Sequence, residues 1–124
     1  MKDPELVPDQ PPPSGNGREV WPFVIGYATA CDASRTLRAA MAERDTVGRA
    51  RYGVPLSVDN GRDARVDAAQ EALDLSVYLG QHLMELEAAP RPTGVGVLAH
   101  EQRIQEVKTD LRAVIRIAGH LVKP

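Results

Sequence analysis

The chain has little cysteine, few aromatic residues and no long hydrophobic run. Cys31 is the only cysteine among 124 residues, which excludes an intramolecular disulfide and is typical of a reducing compartment. The one apolar run near the start, residues 20–31, contains Pro22 and Gly26 and is too short to span a bilayer. The three histidines have no ligand spacing with one another or with Cys31, so we predict no zinc site. We expect a cytoplasmic protein.

Neither sign of charge is in large excess. The formal net charge is −2, which gives no overall electrostatic attraction to a nucleic-acid polymer or to an anionic membrane. Before the apolar run the chain has four acidic residues and only two basic ones, Lys2 and Arg18. This segment is therefore acidic, whereas the start of a signal peptide is positively charged. We therefore expect neither a membrane nor a nucleic-acid polymer as partner.

The first 18 residues are polar and rich in proline. Three consecutive prolines, residues 11–13, are followed by Ser14-Gly15-Asn16-Gly17. Such a segment buries too little apolar surface to offset the entropy lost on ordering. The sequence therefore predicts a disordered tail over residues 1–18, and the length of the remainder predicts a single domain over residues 19–124.

No segment alternates convincingly between apolar and polar residues, so the class is predicted to be all-α. We expect a helical bundle of three long helices and one short N-terminal helix. Trp21 and Phe23 of the short helix are expected to pack into the core. The predicted bounds are Val20 or Pro22 to Ala30, Asp32 or Ser34 to about Arg49, Arg62 or Asp63 to about Ala88, and Leu98 to Val122.

Apolar spacing differs between the last two predicted helices. The last helix repeats apolar residues at spacings of three and four, the pattern of an amphipathic helix: Ile104, Val107, Leu111, Val114, Ala118 and Leu121. The third helix has a broader apolar arc: Ala69, Leu73, Leu75, Val77, Leu79, Leu83 and Leu86. That arc is wider than one partner helix needs, so we expect this helix to be central or to contact a second subunit. A homo-oligomer is therefore predicted.

The third helix also carries an unusual set of charges. Residues 66–90 contain five carboxylates and neither lysine nor arginine. Like charges at i,i+4 destabilise a helix, so positive charge from a metal ion or from neighbouring side chains is expected. At about 100° per residue, one face of this helix, called here the acid stripe, holds Asp67, Glu71, Asp74, Tyr78 and Gln81.

Five arginines lie just upstream of the acid stripe or at its start: Arg44, Arg49, Arg51, Arg62 and Arg65. Magnesium usually combines one or two carboxylates with phosphates and waters, and guanidinium groups bind phosphate oxygens in pairs. The arrangement therefore fits a magnesium–polyphosphate ligand. It also fits a surface network in which these arginines pair with Asp63, Asp67 and Glu71, and structural ion-pair networks of this kind are common.

The sequence Glu71-Ala72-Leu73-Asp74 resembles the second metal-binding helix of the all-α nucleotide pyrophosphohydrolases, which include the MazG-like proteins. The flanking stretches at residues 49–56 and 60–63 are similar to those of small phage and actinobacterial proteins grouped with that superfamily. The resemblance covers roughly residues 39–81. The family's first-helix ExxE has no full counterpart, because Glu43 is preceded by Ala40 where the first glutamate would fall.

This resemblance implies a Mg²⁺ ion bound by Glu71 and Asp74, to which we add Asp67 as a further ligand. It also implies hydrolysis of a nucleoside triphosphate to a monophosphate and pyrophosphate, with Asp67 or Glu43 as the base. The remaining candidates would contact the nucleotide, the arginines through its phosphates and the tyrosines through its base: Arg44, Arg49, Arg51, Arg62, Tyr52 and Tyr78.

Three functions therefore remain open. The first is a magnesium-dependent nucleoside triphosphate pyrophosphohydrolase. The second is a non-catalytic protein that binds a nucleotide or another phosphorylated small ligand. The third is an oligomeric interaction module. An enzyme requires Glu71 and Asp74 to be unpaired and to face a cavity, whereas a module predicts that they bond to Arg44, Arg51 or Arg62.

Overall fold

The computed structural model describes residues 10–15 and 17–122, and four helices account for most of them. The predicted all-α class, with three long helices and one short N-terminal helix, is confirmed. The chain divides into two compact units, one within residues 9–63 and one that includes residues 64–124. None of the helices in the described ranges has the length and apolar character needed to cross a membrane. The helices are α1 (Val20–Ala30), α2 (Arg35–Tyr52), α3 (Ala64–Ala88) and α4 (Gly96–Leu121).

Local signals explain the bounds of α2. The Ser34 hydroxyl accepts a hydrogen bond from the Leu37 backbone N–H at 3.1 Å, the usual interaction of an N-cap serine. Asp32, the other residue at which the sequence predicts that this helix begins, instead lies in the left-handed region with φ of 59°. The helix continues past the predicted end at Arg49 and stops at Gly53, whose φ of 74° is typical of a glycine C-cap.

The C-terminal unit is a hairpin of α3 and α4 around a small apolar core. Ala69 is 2% exposed, and its short side chain lets the two helices approach closely. The amphipathic pattern predicted for α4 is confirmed, since four of its six positions are buried and Leu111 and Leu121 are half-buried. The buried core residues are Ala69, Ala72, Ile104, Val107, Val114 and Ala118.

The broad apolar arc of α3 is only partly covered. Val77 is 67% exposed, and Leu73 and Leu75 are also exposed. Within this unit α4 packs on one side of α3, as the burial of Ala69 and Ala72 shows. One helix therefore leaves part of the arc in contact with solvent.

The N-terminal unit is organised differently, since neither α1 nor α2 contains a buried residue. Its best-buried side chain is Ser57, at 1% exposure. Backbone hydrogen bonds join the start of α1 to the loop after α2: the Val20 N–H donates to the Leu56 carbonyl at 2.9 Å, and the Val58 N–H donates to the Arg18 carbonyl at 2.8 Å. An isolated antiparallel bridge lies between Glu19 and Ser57.

The expectation that α1 packs into the core is wrong for Phe23, which is 60% exposed. Trp21 is half-buried. The physical reason is that α1 is apolar on every side, so no periodicity selects one face for burial. Of the helices that the structure describes in the N-terminal unit, α2 alone packs along α1.

Of the predicted disordered tail over residues 1–18, residues 1–9 and 16 lie outside the described residues. The described part of the tail has no regular secondary structure, but it lies alongside the loop at residues 54–63. The Ser14 N–H donates to the Asn60 carbonyl at 2.9 Å, and a side chain on Gly17 would collide with the Val58 carbonyl oxygen. The single domain expected over residues 19–124 stays a prediction.

Candidate functional site

The acid stripe of α3 lies on the face opposite the α3–α4 core. Glu71, Asp74 and Tyr78 are exposed, whereas Ala69 and Ala72 on the other side of the helix are buried. This separation follows from the helical period, because residues at i, i+3 and i+7 share one face. The stripe is therefore a solvent-exposed surface of the C-terminal unit.

Glu71 and Asp74 lie about one helical turn apart on this surface. Neither makes a side-chain hydrogen bond or an ion pair with any of the described residues. Asp67 differs from them: it is half-buried in the first turn of α3 and already has an interaction of its own. A carboxylate in that turn is also favoured by the positive end of the helix dipole.

At the C-terminal end of the stripe, Gln81 forms a hydrogen bond with Glu85, which lies on the same face of α3. The Gln81 amide donates to Glu85 Oε1 at 2.9 Å. Glu85 is thereby engaged within its own helix, unlike Glu71 and Asp74. Glu71 and Asp74 are thus the carboxylates of the stripe that have no partner within the part of the chain that the structure describes.

No group of three or more histidine, cysteine, aspartate or glutamate side chains in the described ranges is close enough to bind a metal ion. Two carboxylates with oxygen donors nevertheless fit Mg²⁺, which commonly takes one or two protein carboxylates and completes its shell with waters and phosphates. Glu71 and Asp74 therefore fit such an ion only as a partial set of ligands.

The predicted phosphate-binding arginines differ in how far they are already engaged. The Nε of Arg49 donates to Asp45 Oδ1 at 3.0 Å, and its Nη2 pairs with Glu19. Two carboxylates thus hold Arg49 in place, and the pair with Glu19 joins α2 to the residue that precedes α1. Arg49 therefore has a structural role within the N-terminal unit.

Arg44 and Arg51 lie about two turns apart on one face of α2. Arg44 is exposed and has no hydrogen bond or ion pair with a described residue. The guanidinium of Arg51 stacks over the Tyr52 ring, 5.3 Å from its centroid, a cation–π contact that leaves its N–H groups free for other acceptors. Glu43 is exposed on the same helix.

Arg62 holds the segment that precedes α1. Its Nη1 donates to the carbonyl oxygens of Gln10 at 3.3 Å and of Pro11. Arg65 belongs to the other unit, where its Nη2 donates to the His120 carbonyl at 3.2 Å and joins the start of α3 to the end of α4. Both arginines therefore bond to backbone carbonyls.

The candidate residues accordingly fall into two sets, one in each unit. The structure brings Asp67, Glu71, Asp74 and Tyr78 together on α3. The set in the N-terminal unit comprises Glu43, Arg44, Arg49, Arg51 and Tyr52 on α2, with Arg62 before α3.

Sequence reasoning missed a groove between α1 and α2, which has a volume of about 620 Å³. Apolar side chains line it, including Tyr27 and Leu37, and the exposed Cys31 is also among the lining residues. The sequence does contain a signal for an exposed apolar surface, since residues 20–31 carry no charge. The same uncharged run is equally typical of a helix that is buried in a core, so it does not by itself predict a groove.

Comparison with protein-family models, with curated proteins and with solved structures finds no match for this chain.

Proposed function

We propose that the chain is a magnesium-dependent nucleoside triphosphate pyrophosphohydrolase, which releases a nucleoside monophosphate and pyrophosphate. The observation that carries the proposal is the pair Glu71 and Asp74, which are exposed, close to each other on α3 and without a cationic partner among the described residues.

Glu71 and Asp74 would hold Mg²⁺, with waters and the substrate's phosphates as its other ligands. When bound, the ion neutralises phosphate charge and polarises the bond that is cleaved. In the reaction a water oxygen forms a bond to the α-phosphorus, and the α–β anhydride bond breaks. Pyrophosphate leaves with the electron pair.

The proton of the attacking water needs an acceptor. Asp67 lies one turn before Glu71 on the same face of α3, and general-base catalysis requires a carboxylate within hydrogen-bond reach of the water. Asp67 is therefore the candidate for the base on α3.

Negative charge on the leaving pyrophosphate needs a cationic partner. Among the arginines that the sequence assigns to this role, Arg44 has no hydrogen bond or ion pair with a described residue, whereas Arg49 already pairs with Asp45 and Glu19. Arg51 retains N–H groups beyond its contact with Tyr52. Arg62 is the least suited, since its guanidinium bonds to two backbone carbonyls. Tyr52 and Tyr78 are both exposed and can stack on a nucleobase.

The test is incubation of the full chain with canonical and modified nucleoside triphosphates plus Mg²⁺, with release of monophosphate and pyrophosphate measured. We expect Glu71→Gln and Asp74→Asn to abolish the magnesium-dependent release without changing the helical circular dichroism. Glu85→Gln is the matched control, a carboxylate of the same face that already bonds to Gln81. No release with any triphosphate at high protein concentration would refute the proposal.

A non-catalytic nucleotide-binding protein would bind the same triphosphates without hydrolysing them, so calorimetry with the same panel separates the two. An oligomeric interaction module is the other alternative. The observation that favours it is the exposure of large apolar side chains, among them Leu73, Val77 and Met84 on one side of α3. If the chain is an interaction module, it should self-associate and should not bind nucleotides.

A further inference from the structure

The groove between α1 and α2 is an apolar surface that the described part of the N-terminal unit leaves open. Phe23 and Tyr27 form one wall, and Leu37 and Met41 of α2 form another. The Phe23 and Tyr27 rings lie 6.4 Å apart at an angle of 38°, which makes them a continuous aromatic surface. Both are more than half exposed, at 60% and 67%.

The helix that carries these aromatic residues is uncharged over its whole length, with no buried residue. A helix that is apolar on every side is stable when something covers it, and contiguous exposed apolar patches mark interaction sites. α1 therefore needs a covering partner with an apolar surface.

We infer that the groove is the interface of a symmetric homodimer, in which α1 of a second copy of this chain lies between α1 and α2, and reciprocally. The inference concerns the N-terminal unit, and it is independent of the proposed hydrolysis at α3.

Self-complementary shape is the first argument for a second copy. A two-fold interface uses the same surface on both subunits, so that surface must supply both the inserted side chain and the space that receives it. Here Phe23 and Tyr27 project from α1, while the small residues Ala28, Cys31 and Ala33 line the same groove. Aromatic side chains of one copy can thus fill the space that the small side chains of the other leave.

Charge is the second argument, and it distinguishes α1 from the other exposed apolar surface. No charged residue lies between Val20 and Cys31, so a two-fold contact through α1 brings no like charges together. A two-fold contact through the exposed apolar residues of α3 would instead bring together two helices that carry carboxylates and no lysine or arginine after residue 65, and like charges repel each other.

The residues that flank α1 favour an antiparallel arrangement. Arg18 lies just before the helix, with its guanidinium 5.8 Å from the Phe23 ring centroid, and Asp32 lies just after the helix end. When two copies of α1 run antiparallel, Arg18 of each copy comes close to Asp32 of the other. A parallel arrangement would place Arg18 beside Arg18.

The first test is the oligomeric state of the full chain by light scattering over a range of concentrations. We expect a mass of two chains, which Tyr27→Lys reduces to one by placing a charge in the apolar contact. Val95→Lys is the matched control, because Val95 is 98% exposed on the other unit, and this variant should remain dimeric. A chain that is monomeric at every concentration, or a Tyr27→Lys variant that stays dimeric, would overturn the inference.

A second measurement uses the unmodified chain. Cys31 lines the groove, so its reaction with a maleimide should slow as protein concentration rises and the dimer forms. A rate that does not depend on concentration would contradict the inference. Binding to phosphatidylcholine vesicles that dissociates the dimer and is lost in Tyr27→Lys would also overturn it, by identifying a lipid surface as the occupant.

Discussion

The two units of this chain are built from helical hairpins, but they are stabilised in different ways. In the C-terminal unit α3 and α4 bury six apolar side chains. In the N-terminal unit neither helix buries any residue, although α1 is more apolar in sequence than α3 or α4. The difference teaches that burial follows periodicity more than composition: α4 concentrates its apolar residues on one face, whereas α1 spreads them around the helix.

The largest expected effect is on the apolar core of the C-terminal unit. Val107→Asp places an unpaired carboxylate among buried side chains, which should destabilise the unit by at least about 3 kcal/mol. Urea unfolding and amide hydrogen exchange in α4 measure the effect. Ile115→Asp, on the exposed side of the same helix, should cost much less. Equal losses in the two variants would contradict the assigned core.

In the N-terminal unit, substitutions should instead be most destabilising where the segment before α1 lies against the loop after α2. Gly17→Ala forces a methyl group against the Val58 carbonyl oxygen, and such overpacking costs about 1–3 kcal/mol. Faster amide exchange at Val20 and Val58 is the readout.

Gly48→Ala is the matched control for Gly17→Ala. Nothing lies within 4 Å of a side chain added at Gly48, and alanine is favoured over glycine in a helix by about 0.5–1 kcal/mol. This variant should therefore be more stable than the unmodified chain. If both glycine variants were equally destabilised, the close approach of Gly17 to the loop would be refuted.

The smallest expected effect concerns the acid stripe. Glu71→Lys replaces the like-charge pair of Asp67 and Glu71 by an acid–base pair at i,i+4, which should stabilise α3 by roughly 0.5 kcal/mol. The same substitution should abolish magnesium-dependent hydrolysis. Thermal unfolding and the triphosphate assay measure the two effects, and a variant that is less stable would show that Glu71 has a structural role.

Much of the fold could be predicted from the sequence, because it depends on local patterns. The repeat in α4 predicts its buried face, and Ser34 and Gly53 are ordinary signals for the ends of α2. The exposure of Phe23 could not be predicted, since composition alone does not show how many helices cover an apolar one. The pairing of the first residues with the loop depends on backbone contacts far apart in sequence, which leave no periodic signal.

The candidate site was predictable to a similar degree. Residues at i, i+3 and i+7 on a helix necessarily share a face, so the acid stripe follows from spacing once α3 forms. The partners of the arginines do not follow from spacing. Arg49 pairs with Glu19 and Arg62 with the carbonyl of Gln10, because the chain returns on itself in a way that only tertiary structure specifies.

The pairing of the first described residues with the loop before α3 has a consequence for the order of events during synthesis. Gln10 bonds to Asp63, 53 residues later in the chain, so Gln10 cannot make this bond until the loop before α3 has been synthesised. Closing so long a segment carries an entropic cost that local contacts avoid, and distant contacts slow folding. The α3–α4 hairpin, whose helices follow each other directly, requires no such closure. We therefore expect the α3–α4 hairpin to form sooner after its own synthesis than the pairing of Gln10 with the loop forms after the synthesis of Gln10.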